Sequence, residues 1–503
     1  MKEILSVENM RRSDAQTIAS GIPGKELMKK AGKAVFEAVP EWKAPVAIVC
    51  GTGNNAGDGY VIAGLLYDEG IECAIFLTEE RFSEDGAYFY DICREKGIDI
   101  RKWNGEEFAG FKTVVDCIFG TGFKGKVKEP AKTIIDNINK SGAYIVSVDI
   151  NSGLNGDTGL SEEKDGCVRS DITVSIGSFK PGHFLNMAKD VMKRKVNCDI
   201  GIAPIGRTFL YPEKIDMAAA LPKRENYSHK GTYGYTALIG GSERYSGAIR
   251  LAYLANAAMR SGAGVVKAAL PASLIHDVSS HILESTVFPL SEADGKILFN
   301  EDEFRELTGN VKSVAFGMGI GISEETKKAV EYLLREFPGK LIIDADGLTA
   351  LAGLDRNIIK NAKGTVVLTP HLKEFSRLCG KTIEEIQSAP IAAAEEYARE
   401  TGVILLLKGC ATIITDGERT YITDTGCPGM ASAGSGDVLS GILSAVCAYI
   451  DDTLMAVTTG AYINGKAGEL AEQKSNPISM TAGDTAACIT EVISRLFRVL
   501  CSD

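Results

Sequence analysis

Short apolar runs alternate with helical segments along the first part of the chain. The mostly apolar runs, which suit buried strands, are residues 46–50, 72–77, 113–118, 143–148 and 172–176. The helical patterns between them are residues 58–69, 84–96 and 131–141. Strand–helix–strand repetition with buried strands is typical of a parallel sheet that is covered by helices on both faces. The first part is therefore predicted to be a Rossmann-like, doubly wound α/β domain.

The second part of the chain repeats this alternation with longer helices. Its predicted strands are residues 235–239, 265–269, 313–316, 341–344, 366–369 and 403–407, followed by a hairpin at 411–415 and 420–423. Its principal predicted helices are residues 246–261, 436–449, 454–473 and 481–500. The charged segment 207–226, which contains two prolines, separates the two parts. We therefore expect two α/β domains, residues 1–215 and residues 222–503.

The composition excludes several classes of partner. Lys and Arg number 55 against 66 Asp and Glu, and the formal net charge of −11 gives no general attraction to nucleic acid or to an anionic membrane. No stretch reaches the roughly 18 apolar residues that a spanning helix needs, and the N-terminus carries no apolar leader. The 12 cysteines are dispersed without metal-binding spacing, so we expect reduced thiols in a cytoplasm.

A glycine-rich loop follows the strand predicted at residues 46–50. Gly51, Gly53 and Ala56 match the dinucleotide-binding pattern G-x-G-x-x-G/A between a strand and a helix. Glycines there would let the backbone approach a phosphate at the helix N-terminus. The loop also contains two asparagines and Asp58, which do not fit a plain dinucleotide turn. Asp58 is expected either to cap the helix or to hydrogen-bond a hydroxyl, and a purely structural turn is the alternative.

Two further predicted strands end in polar loops. Residues 113–118 lead to a loop of glycines and lysines that ends at Lys126, and residues 143–148 lead to Asp149 and Ser152. The carboxyl ends of parallel strands line one edge of a doubly wound sheet. We therefore expect these loops to meet the first glycine loop in one crevice.

Asp116 lies within a buried apolar run, where an unpaired carboxylate is costly. A bound cation is one remedy, since Asn55, Asp116 and Ser152 supply only hard oxygen ligands. A cap or an ion pair for Asp116 is the alternative.

The segments GTGNNAGDG, VDCIFGTG and VDINSGLNGDTG together resemble the epimerase domain of the NAD(P)H-hydrate repair enzymes, over about residues 1–210. The resemblance implies that Asn55, Asp116 and Ser152 bind a potassium ion and that Asp149 is catalytic. Ala56 and Asn151 stand where the family usually has glycine and proline. The residues that the resemblance assigns to the damaged nucleotide are Asn54, Asn55, Ala56, Gly57, Asp58, Gly120, Thr121, Gly122, Phe123, Lys124, Gly125 and Lys126.

The strongest local pattern of the second part is the glycine-rich stretch from Pro428 to Gly441, which opens a long predicted helix. Its small residues leave the backbone N–H groups of residues 433–437 free to bind an anion. Asp437 lies at the helix start beside this anion hole, where it can take a proton from an attacking hydroxyl. As a single residue it also suits an ordinary helix cap.

Further segments accompany this loop in the order HKGTYG, YSGA, GMGIG, DADGL, TPHLKE and KGCAT. With GSGD they resemble the ribokinase-like superfamily, and more specifically the ADP-dependent NAD(P)H-hydrate dehydratases, over about residues 222–503. Met318 and Ser435 replace the proline and the methionine of the family pattern. The residues that the resemblance assigns to the hydrated cofactor are Ala248, Gly319, His371 and Asp437. Those that it assigns to the adenine nucleotide are Lys408, Gly409, Cys410, Ala411, Thr412 and Gly436.

Both resemblances are to halves of one repair system, so the sequence predicts a bifunctional enzyme that uses K⁺ in its first domain and Mg²⁺ with ADP in its second. The expected partners are hydrated NADH and NADPH (NADHX and NADPHX) and ADP, with neither nucleic acid nor membrane, and a homo-oligomer is expected. Three alternatives stay open. They are a small-molecule kinase, of a vitamin or sugar, with a fused regulatory nucleotide-binding domain, a non-catalytic nucleotide sensor, and an NAD dehydrogenase in the first part.

Overall fold

The computed structural model describes residues 1–105, 107–254, 257–279 and 284–500. The chain divides into two compact units, Glu3–Phe209 and the residues from Leu210 onward together with Met1 and Lys2. The division lies within the charged segment 207–226. Over the described ranges, no helix combines the length and the apolar character that a membrane span requires.

A seven-stranded parallel sheet forms the centre of the first unit. From one edge to the other its strands are Asp99–Lys102, Cys73–Leu77, Val46–Cys50, Thr113–Cys117, Tyr144–Val148, Ile172–Ile176 and Lys195–Cys198. The strand order reverses between Val46–Cys50 and Thr113–Cys117, where Val49 lies opposite Asp116. Open α/β sheets bind ligands at such a reversal, outside the carboxyl ends of the strands. The predicted doubly wound α/β fold is confirmed.

The outer strands of this sheet escaped the sequence prediction. Asp99–Lys102 is mostly exposed and Lys195–Cys198 is half-buried, and both contain charged residues. Such sequences lack the apolar run that marks a buried strand. The short strand Lys2–Leu5, which is not part of this sheet, was missed for the same reason.

The glycine loop after Val46–Cys50 is shorter than predicted, because its helix begins at Asn54. Gly57 and Gly59 therefore lie inside the helix, where their neighbours leave no room for a side chain. A Cβ on Gly57 would lie 2.4 Å from Met28 Sδ, and one on Gly59 would lie 2.9 Å from Cys117 Sγ. These glycines let the helix pack closely against its neighbours. The helices of the first unit are Val7–Ala19, Gly24–Ala38, Asn54–Asp68, Glu84–Glu95, Ala131–Lys140 and Ala188–Val191, with a 3₁₀ turn at Pro181–His183.

The second unit is built on a larger, mixed sheet, which confirms its α/β class. In spatial order its strands include Thr420–Thr423, Thr412–Thr415, Ile404–Leu407, Thr365–Leu368, Lys340–Ile343, Ser313–Phe316, Tyr235–Ile239, Val265–Pro271 and Thr286–Leu290. Neighbours from Ile404–Leu407 onward are parallel, whereas Thr412–Thr415 runs antiparallel to both its neighbours and forms the predicted hairpin. Leu210, in strand Thr208–Tyr211, pairs with Tyr421. A two-stranded ribbon joins Glu292–Ala293 to Lys296–Ile297.

Helix Ser435–Tyr449 is the core helix of the second unit, since every residue from Val438 to Ala448 is buried. Residues 255 and 256 of the helix predicted at 246–261 lie outside the described ranges. The α-helices of the unit are Lys214–Ala220, Ser246–Leu254, Ala257–Arg260, Ile275–Ser279, Glu301–Thr308, Glu324–Glu336, Asp346–Leu351, Arg356–Lys360, Leu372–Cys379, Ile383–Ser388, Pro390–Thr401, Ser435–Tyr449, Thr453–Lys474 and Ala482–Leu500. The 3₁₀ turns are Lys230–Tyr233, Glu243–Tyr245, Ala272–Leu274 and Pro428–Met430.

Candidate active sites

A cavity of about 500 Å³ in the first unit lies at the carboxyl ends of the central strands. The predicted residues that line it are Asn54, Asn55, Asp58, Gly120, Thr121, Gly122, Phe123 and Asp149. The charged lining residues that the sequence did not predict are Arg11, Asp14 and Lys180. The three loops thus meet in one crevice at the reversal of the strand order.

Five of the residues predicted to bind the nucleotide lie outside this lining. Ala56 and Gly57 are buried within their helix. Lys124 and Gly125 are exposed, and Lys126 Nζ lies 2.5 Å from Glu163 Oε1. The first half of the glycine–lysine loop therefore faces the cavity, and its lysines do not.

Asp58 does not cap its helix, because the N-cap residue is Gly53. Its carboxyl group lies one turn further along and lines the cavity, with the residue only 8% exposed. Burial and the negative charges of Asp149 and Asp14 raise the pKa of Asp58 well above its usual range. A neutral carboxyl group donates a hydrogen bond, which suits the ligand-binding alternative.

Asp149 follows strand Tyr144–Val148 with a φ of 63°, a left-handed conformation that is uncommon for residues other than glycine. Its Oδ1 accepts hydrogen bonds from Lys180 Nζ at 2.5 Å and from the backbone N–H of Ile176 at 3.2 Å. Burial alone would raise the pKa of Asp149, but the charge and hydrogen bond of Lys180 outweigh it and lower the pKa. Asp149 is therefore ionised near neutral pH and can accept a proton.

Lys180 is almost completely buried, with its side chain 1% exposed, and its Nζ also donates to the Ile176 carbonyl at 2.9 Å. His183 supports the same loop: its Nδ1 accepts the backbone N–H of Lys180, and its Nε2 lies 2.7 Å from the carbonyl oxygen of Asp149. Burial and the charge of Lys180 lower the pKa of His183 to about 4, so the imidazole is neutral. The sequence analysis assigned neither Lys180 nor His183 to the site. The one feature of the sequence that could have suggested them is their position after strand Ile172–Ile176, whose carboxyl end lines the cavity.

Lys180→Met should destabilise the first unit, because it leaves the carboxylate of Asp149 buried without its cation. Removing one partner of a buried ion pair lowers the free energy of unfolding by about 3–5 kcal/mol. The loss should shrink at low pH, where Asp149 in the variant takes up a proton. Denaturant unfolding at about pH 5 and about pH 8 measures this difference, with the exposed Lys164→Met as control. Equal stability of variant and wild type at both pH values would contradict the ion pair.

Asp116 has hydrogen-bond partners despite its complete burial. Its carboxylate accepts bonds from Ser147 Oγ at 2.9 Å, from the backbone N–H of Ile118 at 3.3 Å, and from both the hydroxyl and the N–H of Ser152 at 2.5 and 2.9 Å. Burial raises the pKa of Asp116, and these hydrogen bonds oppose the rise. Neither a cap nor an ion pair describes Asp116, whose carboxyl is satisfied by hydrogen bonds.

Asn55 gives an independent indication of a cation site. Its Oδ1 is buried without a hydrogen-bond partner, while its Nδ2 donates to the Phe119 carbonyl at 3.1 Å. Ser152 Oγ lies 3.3 Å from the same carbonyl oxygen. Among the described residues, no three His, Cys, Asp or Glu side chains form a metal-binding group. A set of amide, hydroxyl and carboxyl oxygens fits a hard cation such as K⁺.

Asn151, in the place of the family's proline, is the centre of a buried polar network. Its Nδ2 donates to the carbonyl oxygens of Val168 and Val191 at 2.8 and 3.0 Å. Thr173 Oγ1 donates to its Oδ1 at 2.5 Å. A proline side chain makes none of these bonds. The network ties the loop of residues 149–152 to its neighbours, so this departure from the family pattern does not leave the loop unsupported.

The candidate site of the second unit lies at the N-terminus of helix Ser435–Tyr449. Gly434 is the N-cap residue, with a φ of 93°, and Asp437 lies inside the first turn. Asp437 is therefore not an ordinary cap. Burial and the negative charge of Asp344 raise the pKa of Asp437 to about 7, against the opposing charge of Lys408. A carboxyl group that titrates near neutral pH is suited to general acid–base catalysis.

Asp344 and Lys408 form an ion pair in this site. Lys408 Nζ lies 2.9 Å from Asp344 Oδ1, and Ser440 Oγ donates to Asp344 Oδ2 at 2.8 Å. Burial would lower the pKa of Lys408, but the charge of Asp344 outweighs it and raises the pKa. A Cβ on Gly436 would lie 3.3 Å from Asp344 Oδ2 and 3.6 Å from Lys408 Nζ. The structure thus brings together Lys408, Gly436 and Asp437, and it adds Asp344, which the sequence had placed only in a motif.

Residues 408–411 form the turn between strands Ile404–Leu407 and Thr412–Thr415, and Thr412 is the first residue of the second strand. Gly409 and Cys410 are exposed and Ala411 is buried. The backbone N–H of Lys408 donates to the Pro370 carbonyl at 2.9 Å, which places His371 beside this turn.

His371 caps helix Leu372–Cys379, a role that the sequence did not predict. Its Nδ1 accepts hydrogen bonds from the backbone N–H groups of Lys373 and Glu374 at 3.1 and 3.2 Å. The backbone N–H of His371 donates to Glu374 Oε2 at 2.9 Å. Because Nδ1 accepts these bonds, the ring proton lies on Nε2. The side chain is 52% exposed, so Nε2 can also donate to a ligand.

Ala248 and Gly319, which lie on separate segments of the sequence, meet in the structure. A Cβ on Gly319 would lie 2.7 Å from Ala248 Cβ, and the φ of Gly319 is 60°. Met318, in the place of the family's proline, is fully buried, and its carbonyl accepts the N–H of Gly241 at 2.8 Å. A proline has the same carbonyl, so this replacement preserves the bond beside Gly319.

Comparison with known proteins gives two family models that match separate parts of the chain. The model described as YjeF-related protein N-terminus matches residues 24–182, and the model described as NAD(P)H-hydrate dehydratase matches residues 236–491. A relative from Moorella thermoacetica, named bifunctional NAD(P)H-hydrate repair enzyme Nnr, is 35% identical over 500 residues, which cover 94% of this chain and 93% of the relative.

Two solved structures resemble part of the chain. A hypothetical protein from Streptococcus mutans is 25% identical with a TM-score of 0.50, covering 57% of this chain and 100% of its own. The ADP/ATP-dependent NAD(P)H-hydrate dehydratase from Bacillus subtilis, co-crystallised with ATP and Mg²⁺, is 27% identical with a TM-score of 0.49, covering 57% of this chain and 98% of its own.

Proposed function

The chain belongs to the family of bifunctional NAD(P)H-hydrate repair enzymes, and we propose from this premise that it restores hydrated NADH and NADPH in two steps. Hydration places a hydroxyl at C6 of the dihydronicotinamide ring, in R and S forms. We assign epimerisation of the two forms to residues 1–215 and nucleotide-dependent dehydration of the S form to residues 222–503. The observation that carries the proposal is that each unit holds a candidate proton acceptor, Asp149 or Asp437, in a site whose lysine, Lys180 or Lys408, acts on the pKa of that aspartate.

In the first unit, the nucleotide would lie in the 500 Å³ cavity, against Asn54 and residues 120–123. Asp149, kept ionised by Lys180, would take a proton during epimerisation. Asp58, neutral through burial, would donate a hydrogen bond to the ligand. Residues 56–57 would support this site from within the helix, and residues 124–126 would form its rim.

A potassium ion would be held by the orphaned Oδ1 of Asn55 together with Asp116 and Ser152. When bound, it would supply a fixed positive charge beside the nucleotide. Asn55 also holds the carbonyl of Phe119, which lines the cavity. The ion and the loop would therefore order each other.

We expect Asn55→Leu to weaken potassium binding, because the variant lacks the side-chain oxygen that would contact the ion. Leucine has a volume similar to that of asparagine. Potassium should raise the Tm of the first unit in the wild type, since a ligand that binds only the folded state stabilises it. In the variant, the K⁺ concentration needed for the same shift should rise at least about tenfold, the effect of roughly 1.4 kcal/mol. Thermal unfolding in KCl and in choline chloride measures both proteins. An equal rise of Tm in the two proteins would remove Asn55 from the cation site.

In the second unit, the N–H groups at the start of helix Ser435–Tyr449 and the ammonium of Lys408 would bind the phosphates of ADP. Gly436 would let the nucleotide approach, because it has no side chain against Asp344 and Lys408. Residues 409–412 would contact the rest of the nucleotide. The hydrated cofactor would contact Ala248, Gly319 and the Nε2–H of His371.

Dehydration would proceed through a phosphate ester. Asp437 would take the proton of the C6 hydroxyl while the hydroxyl oxygen attacks the terminal phosphoryl group of ADP. AMP would be the leaving group. The backbone N–H groups would stabilise the charge of the transferring group. Phosphate leaves far more readily than hydroxide. When the C6–O bond breaks with release of phosphate and C5 loses a proton to solvent, the electron pair of the C5–H bond forms the C5=C6 double bond and the dihydronicotinamide ring is restored.

Magnesium in nucleotide sites is held largely by phosphate oxygens and water, with few protein carboxylates. This chain is consistent with such binding, because no three His, Cys, Asp or Glu side chains form a metal-binding group among the described residues. When bound with ADP, Mg²⁺ would neutralise phosphate charge during transfer.

The test of the proposed function is incubation of the full-length protein with mixed R and S hydrates and either ADP or ATP, following the absorbance of the restored dihydronicotinamide. We expect complete restoration of both forms with ADP and one phosphate released per hydrate consumed. A phosphorylated product that accumulates without restored absorbance would instead identify a small-molecule kinase.

We propose the cytoplasm as the compartment of this enzyme. The cysteines that the structure describes are free thiols, as a reducing compartment leaves them, and Cys501 lies outside the described ranges. A homo-oligomer stays the expected assembly, which light scattering on the purified protein tests.

A further inference from the structure

Asp14 is a titratable residue of the first unit's cavity that the mechanism above leaves unused. It lies on helix Val7–Ala19, which is capped by Ser6 and anchored by a 2.8 Å hydrogen bond from the N–H of Val7 to Asp157 Oδ1. Asp149 lines the same cavity from the end of strand Tyr144–Val148. The two carboxyl groups therefore reach one ligand space from two separate elements.

The surroundings of these two carboxyl groups separate their protonation states. Burial raises the pKa of Asp14 to about 6, although the charge of Lys180 opposes the rise and that of Asp149 adds to it. Despite its own burial, Asp149 has a lowered pKa because Lys180 pairs with it. The other charged groups that line the cavity are Asp58, on helix Asn54–Asp68, and Arg11, on the helix of Asp14 itself. Two carboxyl groups with separated pKa values in one site mark an acid and a base.

We propose that Asp14 and Asp149 act as an acid–base pair on opposite faces of the hydrated ring, with Asp14 as the proton donor and Asp149 as the proton acceptor. This inference rests on the proposed epimerase function of the first unit. It adds a second catalytic residue to a reaction that must work on both faces of one carbon.

The proton balance of the step requires two groups. C6 carries both the hydroxyl and the ring nitrogen N1. Asp14 protonates the hydroxyl, the C6–O bond breaks with release of water, and the lone pair of N1 forms an N1=C6 double bond. A second water then adds to the opposite face of C6, its electron pair forming the new C6–O bond as the N1=C6 π electrons return to N1. Asp149 takes the proton that this water loses.

The reverse epimerisation exchanges the two roles, and solvent restores the starting protonation states. One water leaves and one enters, and one proton passes from Asp14 to Asp149. Neither an oxidant nor any other co-reactant is needed.

Asp14 suits the donor role better than Asp58, the other carboxyl group of the cavity whose pKa is raised. The pKa of Asp58 is raised well above its usual range, so this group holds its proton. An acid is most effective when its pKa lies near the operating pH, because it must release the proton and regain it. Asp14, with a pKa of about 6, meets that condition.

The test is Asp14→Asn in the full-length protein, assayed without nucleotide so that only R-to-S conversion occurs. We expect kcat to fall by about 10²–10⁴-fold, the usual effect of losing a general acid or base, with KM changed by less than about threefold. In the wild type, kcat should fall as the pH rises through about 6, because Asp14 loses its proton. The residual rate of the variant should lack this fall. In ¹⁸O-labelled water, each wild-type turnover should place one ¹⁸O at C6.

The matched control is Glu8→Gln, at an exposed carboxylate on the same helix, which should leave kcat unchanged. Wild-type kcat in Asp14→Asn, or a slow variant that keeps the fall near pH 6, would overturn the proton-donor role. Retention of the original oxygen at C6 would overturn the step itself. A wild-type protein without epimerisation would overturn the proposed function, whereas loss of activity in Asp149→Asn but not in Asp14→Asn would overturn this inference alone.

Discussion

Asp437→Asn should stop dehydration while nucleotide binding persists. Asn has almost the same size as Asp, and because Gly434 rather than Asp437 is the N-cap, the helix loses no cap. Asn cannot accept the hydroxyl proton, and loss of a general base lowers the rate by about 10²–10⁴-fold. Removing a negative charge beside the phosphates should leave ADP affinity equal or slightly higher. Turnover of the S hydrate and ADP affinity, measured on one preparation, test both expectations.

The chain offers a matched control at Asp484, which also follows a glycine in the first turn of a helix, Ala482–Leu500, but is exposed. Asp484→Asn should leave turnover unchanged. In the wild type, kcat/KM for dehydration should rise as the pH increases through about 7, because Asp437 acts as a base only when ionised. Turnover of Asp437→Asn within a few-fold of the wild type would reduce Asp437 to a first-turn helix residue.

Asp149→Asn should abolish epimerisation and leave dehydration of the S hydrate intact. The variant loses the cavity carboxylate whose pKa is lowered, which is the proposed proton acceptor. The rate of epimerisation should therefore fall by about 10²–10⁴-fold. It also leaves Lys180 buried without its counter-ion, which should lower the stability of the first unit by about 3–5 kcal/mol.

R-to-S conversion without nucleotide, together with thermal unfolding, separates these two effects of Asp149→Asn. Asp165→Asn, at an exposed carboxylate of the same unit, is the control and should change neither quantity. Epimerisation at the wild-type rate in a folded Asp149→Asn protein would remove Asp149 from the mechanism.

The central strands of both sheets were predictable because each is an apolar run that ends in polar or glycine-rich residues. Tyr144–Val148 and Ile172–Ile176 match their predicted bounds to within one residue. The edge strand Asp99–Lys102 was not predictable, because a strand that faces water needs no apolar run. The helix start at Asn54 was missed for another reason. From the sequence, Gly57 and Gly59 suggest a flexible loop. The structure shows that they lie in a helix and that the side chains of Met28 and Cys117 pack against them.

The two proposed proton acceptors were predictable from motifs, but the residues that set their pKa values were not. Lys180 lies 31 residues from Asp149 in the sequence and Asp344 lies still further from Asp437, and only the fold brings each close enough to shift the pKa of its aspartate. Asp14 likewise lies on a helix without any motif. His371 shows the converse case: its motif T-P-H-x-x-E predicted a ligand contact, whereas the same spacing to Glu374 also builds a helix cap.

The division of labour between the two units has one direct test. The R hydrate alone is given to the full-length wild type, to Asp149→Asn and to Asp437→Asn, each with ADP and K⁺, and restored dihydronicotinamide and both hydrates are followed in time. The wild type should restore all of the hydrate. Asp149→Asn should restore it only as fast as R converts spontaneously to S, and Asp437→Asn should convert R to S without restoring either. Restoration of the R hydrate by Asp149→Asn at the wild-type rate would contradict the assignment of the two steps to two sites.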